Sequence, residues 1–269
     1  MTDHDPHAAI SQSDALDPAR AQAMCVTLGR GDTIGMGDAL PPFFHQLYFW
    51  DPRPTASLGR DGHPKVGGVI PDMGLPRRMW AGGRLSFERP LVAGRMATKT
   101  TICERAVHKE GRSGPLGFVT LRHEFTQDGV LCLTEWQDLV YREDPSPDAP
   151  RLVAPRAPTD ETQTQSETFS STTLFRYSAL TFNGHRIHYD MDYAREVEGY
   201  NGLVVHGPLL AQHLMLMAEA ALGPLAQFTF RATSALTLPE MATFCRRELD
   251  LWVRAPDGRL CMEAAAQPA

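Results

Sequence analysis

The sequence predicts an α+β protein in which antiparallel strands wrap around a buried helix, arranged in two halves. Three observations predict it. Residues 119–125 alternate: Val119, Leu121, His123 and Phe125 point one way, and Thr120, Arg122 and Glu124 the other. That is the period of a half-buried strand. Residues 208–222 carry apolar side chains on nearly every face, the pattern of a helix covered all round. Between these two segments, residues 144–159 hold five prolines, Pro145, Pro147, Pro150, Pro155 and Pro158. Such a stretch is stiff and extended, which makes it the best boundary in the chain.

The elements follow in order. Residues 1–18 are polar and acidic and read as a flexible N-terminus. Residues 19–28 predict a short helix ended by Gly29 and Gly31. The aromatic segment 43–50, bracketed by prolines, fits either a buried helix or a strand. Residues 51–83 are rich in Gly and Pro and read as a long irregular loop, which in a compact protein is often a binding or lid segment. Strands are expected at 96–107, through 116–125, and at 130–141, with Gln127, Asp128 and Gly129 as the hairpin turn. Beyond the linker, 168–177 reads as a Thr- and aromatic-rich strand and 179–202 as a polar loop. The buried helix has Pro208 in its first turn and Gly223-Pro224 to stop it. Strands at 228–238, 244–253 and 260–265 close the chain. The expected organisation is thus 1–18, a first half at 19–143, a linker at 144–159 and a second half at 160–269.

Composition narrows the function classes. The 269 residues contain 26 Lys and Arg against 32 Asp and Glu, a net charge of −6. A mildly acidic chain argues against nucleic acid as the main partner, because phosphate binding needs a basic face. The longest apolar stretch, 209–222, is interrupted by Gln212, His213 and Glu219 and falls short of a membrane span of about 20 residues. No signal peptide is expected from the acidic start. The five cysteines are scattered without a C-x-x-C, which reads as reduced thiols in the cytoplasm rather than a disulfide frame or zinc site.

The densest polar cluster runs from Thr181 to Asp190 and precedes His206-Gly207-Pro208 at the start of the buried helix. A helix N-terminus offers free N–H groups and a partial positive charge, so it stabilises an oxyanion. Three readings of the histidines compete. His185-x-x-His188 could bind a metal with His206 or Asp190. The cluster could be a hydrogen-bonded structural loop, as His213 on the helix reads as structural. Or His188 is a general base and Asn183 orients water, since imidazole titrates near neutrality and an amide cannot take the proton.

The loop Asn183-x-His185-Arg186-Ile187-His188-Tyr189-Asp190 with His206-Gly207-Pro208 resembles the MaoC-like hydratase and dehydratase family, whose signature reads S-G-D-x-N-P-x-H before the helix. Thr181 and Phe182 take the S-G positions, Asn183 the acid position, His185 the Asn and Arg186 the Pro. Together with Arg77-Arg78-Met79-Trp80-Ala81-Gly82-Gly83 and Lys109 to Leu116, the chain is similar over about residues 35–265 to the subgroup of hydroxyacyl-thioester dehydratase type 2 and the itaconyl-CoA and mesaconyl-C4-CoA hydratases. The resemblance implies a double hot-dog fold, a degenerate first half that completes the cleft, and an acyl-CoA substrate.

By that resemblance the expected reaction is reversible addition of water to an α,β-unsaturated short dicarboxylic acyl-CoA, itaconyl-CoA or mesaconyl-C4-CoA. His188 would take a proton from water, Asn183 would position that water, and the Gly207 N–H would hold the thioester oxygen. Arg77, Arg78, Arg84, Lys109 and Arg112 are candidates for the CoA phosphates or a free carboxylate. His185, Arg186 and His206 are expected around the substrate. No metal or redox cofactor is expected beyond the CoA of the substrate. Neither is a nucleic-acid or membrane partner, and a homodimer stays open. The alternatives are dehydration of 3-hydroxyacyl thioesters in fatty-acid synthesis, a non-catalytic acyl-CoA-binding hot dog, and a metal hydrolase.

Overall fold

The computed structural model describes residues 9–111, 114–144 and 153–269. The chain opens with an edge strand, β1 (Ala9–Asp14), and a helix, α1 (Pro18–Thr27). Asp17 caps α1 by accepting the Ala19 N–H at 2.9 Å, with Pro18 in the first turn, where a missing N–H costs nothing. A single 3-10 turn, Phe44–Leu47, is buried where the aromatic segment was expected to be helix or strand. Four long strands follow: β2 (Arg77–Phe87), β3 (Ala97–Gly111), β4 (Gly114–Gln127) and β5 (Val130–Arg142). The alternation read from sequence sets the faces of β4: Val119, Leu121, His123 and Phe125 are buried and their neighbours are not.

The second half contains β6 (Gln163–Glu167), helices α2 (Ser171–Thr181) and α3 (Gly207–Leu222), then β7 (Leu225–Ala232), β8 (Ala242–Arg247), β9 (Asp250–Arg254) and β10 (Leu260–Pro268). Among the described residues all ten strands form one sheet in the order β1-β3-β4-β5-β2-β7-β10-β9-β8-β6, with every pairing antiparallel. Within each group of five, the first strand in sequence lies at the outer edge and the second lies at the middle of the molecule. The same connectivity therefore occurs twice, and the copies join where β2 pairs with β7, from Gly82↔Arg231 to Ser86↔Gln227. This is the double hot dog.

Helix α3 lies against β7, β8, β9 and β10 and buries Leu209, Leu210, Ala211, Leu214, Met215 and Ala218. Between its first two strands the first half has α1 and two short 3-10 turns, at Phe44–Leu47 and Thr55–Ser57, and among the described residues no long helix like α3. One core cluster draws on both halves, with Phe43, Phe44, Leu85 and Phe125 alongside Leu214, Met215 and Phe228. Each such large apolar side chain contributes ~1.5–3 kcal/mol on full burial, which ties the halves into one body. Among the described residues no helix is long and apolar enough to cross a membrane. All five cysteines are free and buried.

Three expectations are corrected. Residues 9–14, expected to be frayed, pair with β3 from Ala9↔Ile102 to Asp14↔Ala97, because an open sheet edge supplies the backbone partners that a polar strand needs. Residues 77–83, assigned to the long loop, belong to β2; Gly82 and Gly83 sit in the sheet because Cβ atoms there would meet the Phe230 and Trp136 carbonyl oxygens at 2.6 and 2.8 Å. The strand expected at 168–177 is mostly helix α2. Ser170 accepts the Thr173 N–H at 3.1 Å, and Leu174, Tyr177 and Ser178 form one buried face, so cap and packing override β-branched propensity. Residues 145–152 of the proline-rich stretch lie outside the described residues.

Candidate active site

Both halves wall a cavity of about 1360 Å³. Its lining includes His63 from the 51–76 loop, Arg78 from β2, Asn183, His185 and His188 from the loop after α2, and Gly207 at the start of α3. The three residues that the motif assigned to chemistry, Asn183, His188 and Gly207, thus line one cavity.

Phe182 ends α2 in the left-handed conformation at φ 52°, and the Asn183 N–H donates to the Ser178 carbonyl at 2.8 Å. The chain then turns on the Asn183 side chain, whose Oδ1 accepts the His185 N–H at 3.0 Å. Asn183 is left with its NH2 group as a donor to the cavity.

His188 is 5% exposed. Its Nδ1 lies 2.8 Å from the Val204 carbonyl oxygen. A carbonyl only accepts, so Nδ1 carries the proton and Nε2 carries the lone pair. The ring stacks on His206, centroids 3.6 Å apart and planes 17° apart. Burial pushes the His188 imidazole well below its ordinary value, and the neighbouring His185 adds to that. His188 is therefore a neutral imidazole with a fixed tautomer.

His206 is fully buried and sits behind His188, not on the cavity wall. It shares a 2.8 Å hydrogen bond with Ser178 Oγ, and its Nδ1 has no partner among the described residues. Expected near the substrate, it instead supports the ring of His188, because its own ring is stacked on His188 and hydrogen-bonded to Ser178 in the interior. No side chain caps α3, which leaves its first turn to face the cavity at Gly207. A Cβ on Gly207 would come no nearer than 4.0 Å to the Met262 side chain, so the glycine keeps open space beside its N–H rather than relieving a clash.

The arginines separate. Arg78 lines the cavity, and its charge reaches Asp61, His63 and His185. Arg77, next to it on β2, faces elsewhere. It is 4% exposed and donates through Nε to Glu198 Oε2 at 2.6 Å and through Nη2 to the Glu198 carbonyl at 3.2 Å. It is thus a tie between β2 and the 193–198 turn, not a phosphate ligand. Arg84 is exposed on the sheet, its guanidinium 3.9 Å from the Trp136 ring centroid. Arg186 is taken by Asp190, at 2.7 and 3.0 Å, and by the Arg60 carbonyl at 3.1 Å. Lys109 stands on β3 over Phe118. Arg112 lies outside the described residues.

Sequence reasoning missed three groups. Arg142, at the end of β5, lines the cavity. Asp61 and His63 stand beside His185, with His63 Nδ1 3.0 Å from Asp61 Oδ2 and the two imidazole centroids 4.6 Å apart. Burial pushes the Asp61 carboxyl up, but the hydrogen bonds of His63 and the charges of His63 and Arg78 outweigh it and hold Asp61 below the usual carboxylate range. Burial lowers His63, and lowers His185 to about 3. The available signal was Asp-Gly-His inside the long loop. Asp61, His63 and His185 each place a potential ligand atom within 4.8 Å of the others, a close grouping of polar side chains among the described residues. The Arg78 cation on the same cluster works against a second positive charge there. The metal reading by way of His206 or Asp190 is overturned, since His206 is behind the wall and Asp190 is engaged by Arg186.

The family model for hydroxyacyl-thioester dehydratase type 2 matches residues 43–238. The chain is 40% identical over 255 residues to mesaconyl-C4-CoA hydratase of Chloroflexus aurantiacus, covering 93% of this chain and 91% of that protein. It is 26% identical over 264 residues to the mitochondrial hydroxyacyl-thioester dehydratase type 2 of Schizosaccharomyces pombe, covering 85% and 83%. Among solved structures, a Mycobacterium tuberculosis protein with a double hotdog fold aligns over 96% of this chain and 94% of its own, with a TM-score of 0.61 at 13% identity.

Proposed function

The chain belongs to the hydroxyacyl-thioester dehydratase type 2 family, and we propose that its reaction is the reversible addition of water to an α,β-unsaturated short dicarboxylic acyl-CoA such as mesaconyl-C4-CoA or itaconyl-CoA. The observation that carries this reading is His188. Its proton is held on Nδ1 by the Val204 carbonyl, so its lone pair is available on the cavity side, close to Asn183 and the N-terminus of α3.

In the forward direction His188 Nε2 accepts a proton from a water that the Asn183 NH2 group orients through its oxygen. The water oxygen adds to Cβ, and charge moves onto the thioester oxygen. There the Gly207 N–H, reinforced by the partial positive charge of the helix end, stabilises the enolate. The thioester itself acidifies Cα, so the reaction calls on no cofactor other than the CoA of the substrate. Arg78 is the cavity cation that best suits a free substrate carboxylate, through a two-pronged charged hydrogen bond. We assign the halves to residues 19–143, a degenerate hot dog that completes the cleft, and 160–269, which carries the catalytic loop. We place the enzyme in the cytoplasm, with dimerisation to be read from its mass in solution.

Dehydration of 3-hydroxyacyl thioesters is the second reading, supported by the similarity to the Schizosaccharomyces pombe protein. A panel of enoyl-CoAs from C4 to C16, set against mesaconyl-C4-CoA and itaconyl-CoA and followed by loss of enoyl absorbance, separates the two. Fastest turnover of a dicarboxylic thioester is expected. Preference for long unbranched chains selects the dehydratase, and tight binding without hydration of any thioester refutes both.

A further inference from the structure

The first half contributes more than a wall. Its 51–76 loop meets the catalytic loop of the second half backbone to backbone. The Arg186 N–H donates to the Asp61 carbonyl at 2.9 Å. A Cβ on Gly184 would lie 2.8 Å from the Gly62 carbonyl oxygen, and Gly62 has φ +88°, so glycine on both sides lets the two chains touch. This seam brings Asp61 and His63 to His185 across more than 120 residues of sequence.

Asp61 holds His63 with both oxygens. Oδ1 accepts the His63 backbone N–H at 3.0 Å, and Oδ2 accepts Nδ1–H at 3.0 Å. A carboxylate behind Nδ1 leaves the lone pair on Nε2 and stabilises the imidazolium that forms when Nε2 takes a proton. Beside this pair His185 is only 9% exposed, lines the cavity, and has no hydrogen-bond partner on its ring among the described residues. A buried imidazole in that state belongs to a site that expects a ligand.

Water addition moves two protons, one off water and one onto Cα. His188 accounts for the first. At the motif's acid position stands Asn183, which cannot carry the second. We propose that Asp61–His63 is the second acid–base pair of this active site, with His63 exchanging the proton at the substrate Cα and Asp61 as its positioning residue. The inference rests on the hydratase reading.

The steps balance. The water oxygen bonds to Cβ while one of its protons passes to His188 Nε2, and the π electrons move onto the thioester as an enolate. The enolate then takes the Nε2 proton that His63 has first picked up from solvent, forming the Cα–H bond and leaving His63 neutral with its Nδ1–H on Asp61. The proton on His188 returns to His63 through solvent. Dehydration runs the same steps backwards. The charged and titratable groups facing His63 are Asp61 on its own loop, Arg78 on β2, and His185 and His188 on the catalytic loop. Arg78 favours the neutral imidazole, so the proton leaves readily.

The test uses the full chain and two readouts: hydration of mesaconyl-C4-CoA, and exchange of the Cα protons of a saturated C4 acyl-CoA with D2O, followed by NMR. His63→Gln is expected to slow both by about 100-fold or more at little-changed KM, whereas His188→Gln abolishes hydration and retains exchange. Asp61→Asn keeps the side-chain shape and should slow exchange about tenfold or more. It guards against misfolding of the His63 variant. A His63→Gln or Asp61→Asn protein that exchanges and hydrates at the wild-type rate overturns the proposal. A wild-type protein that hydrates no enoyl-CoA overturns the hydratase reading instead.

Discussion

Replacing Arg78 with Met keeps the length and most of the volume of the side chain and removes its charge. Arg78 faces the cavity that also holds Asn183 and His188. A charged hydrogen bond to a carboxylate in such a site contributes ~1.5–3 kcal/mol. At about 1.4 kcal/mol per factor of ten, Arg78→Met should lower kcat/KM for mesaconyl-C4-CoA by about 10- to 150-fold. Crotonyl-CoA, which has no free carboxylate, should lose little. Arg78 also acts on the charge state of Asp61, His63 and His185, but both substrates share that effect, so the ratio of the two kcat/KM values isolates the carboxylate contact. The assay is loss of enoyl absorbance under kcat/KM conditions for each thioester. An unchanged ratio refutes the reasoning, whatever happens to the absolute rates.

His188→Gln preserves ring-like bulk without a base and should lower kcat about 100- to 10,000-fold, with an unchanged circular dichroism spectrum. Arg77→Met should destabilise the fold by about 3–5 kcal/mol in urea unfolding, because Glu198 would be left buried without its cation. Stability should also fall as pH drops below the ordinary imidazole value near 6.5. His188 and His206 have folded-state values held well below it by burial, so the unfolded chain binds protons first. Each contributes up to about 1.4 kcal/mol per pH unit below that point, which urea midpoints between pH 7 and pH 5 would read.

Much of the secondary structure was legible because it is local. The β4–β5 hairpin follows from strict alternation and an Asp128-Gly129 turn, and α3 from an all-round apolar run between Pro208 and Gly223. The misreading of α2 shows the limit: the threonines and aromatics of 168–177 suggest a strand, and only Ser170 as cap and the burial of Leu174 and Tyr177 make Ser171–Thr181 a helix. The loop motif likewise placed Asn183, His188 and Gly207 at one cavity. The arginines were not legible. Arg77 and Arg78 are adjacent on β2 and point to opposite faces, one to Glu198 and one to the cavity, and a period of two cannot say which face is which.

The sequence by itself determined the alternating strands, the buried helix α3 and the 181–190 loop motif that precedes it, since each is written in contiguous residues whose spacing has a direct conformational meaning. Tertiary structure alone decided that β2 and β7 pair to fuse the halves, that His206 stands behind His188, and that Asp61 and His63 join His185. Those contacts depend on the register of strands and the docking of loops far apart in the chain. Burial and backbone hydrogen bonding select them over the whole molecule, and no local pattern records them.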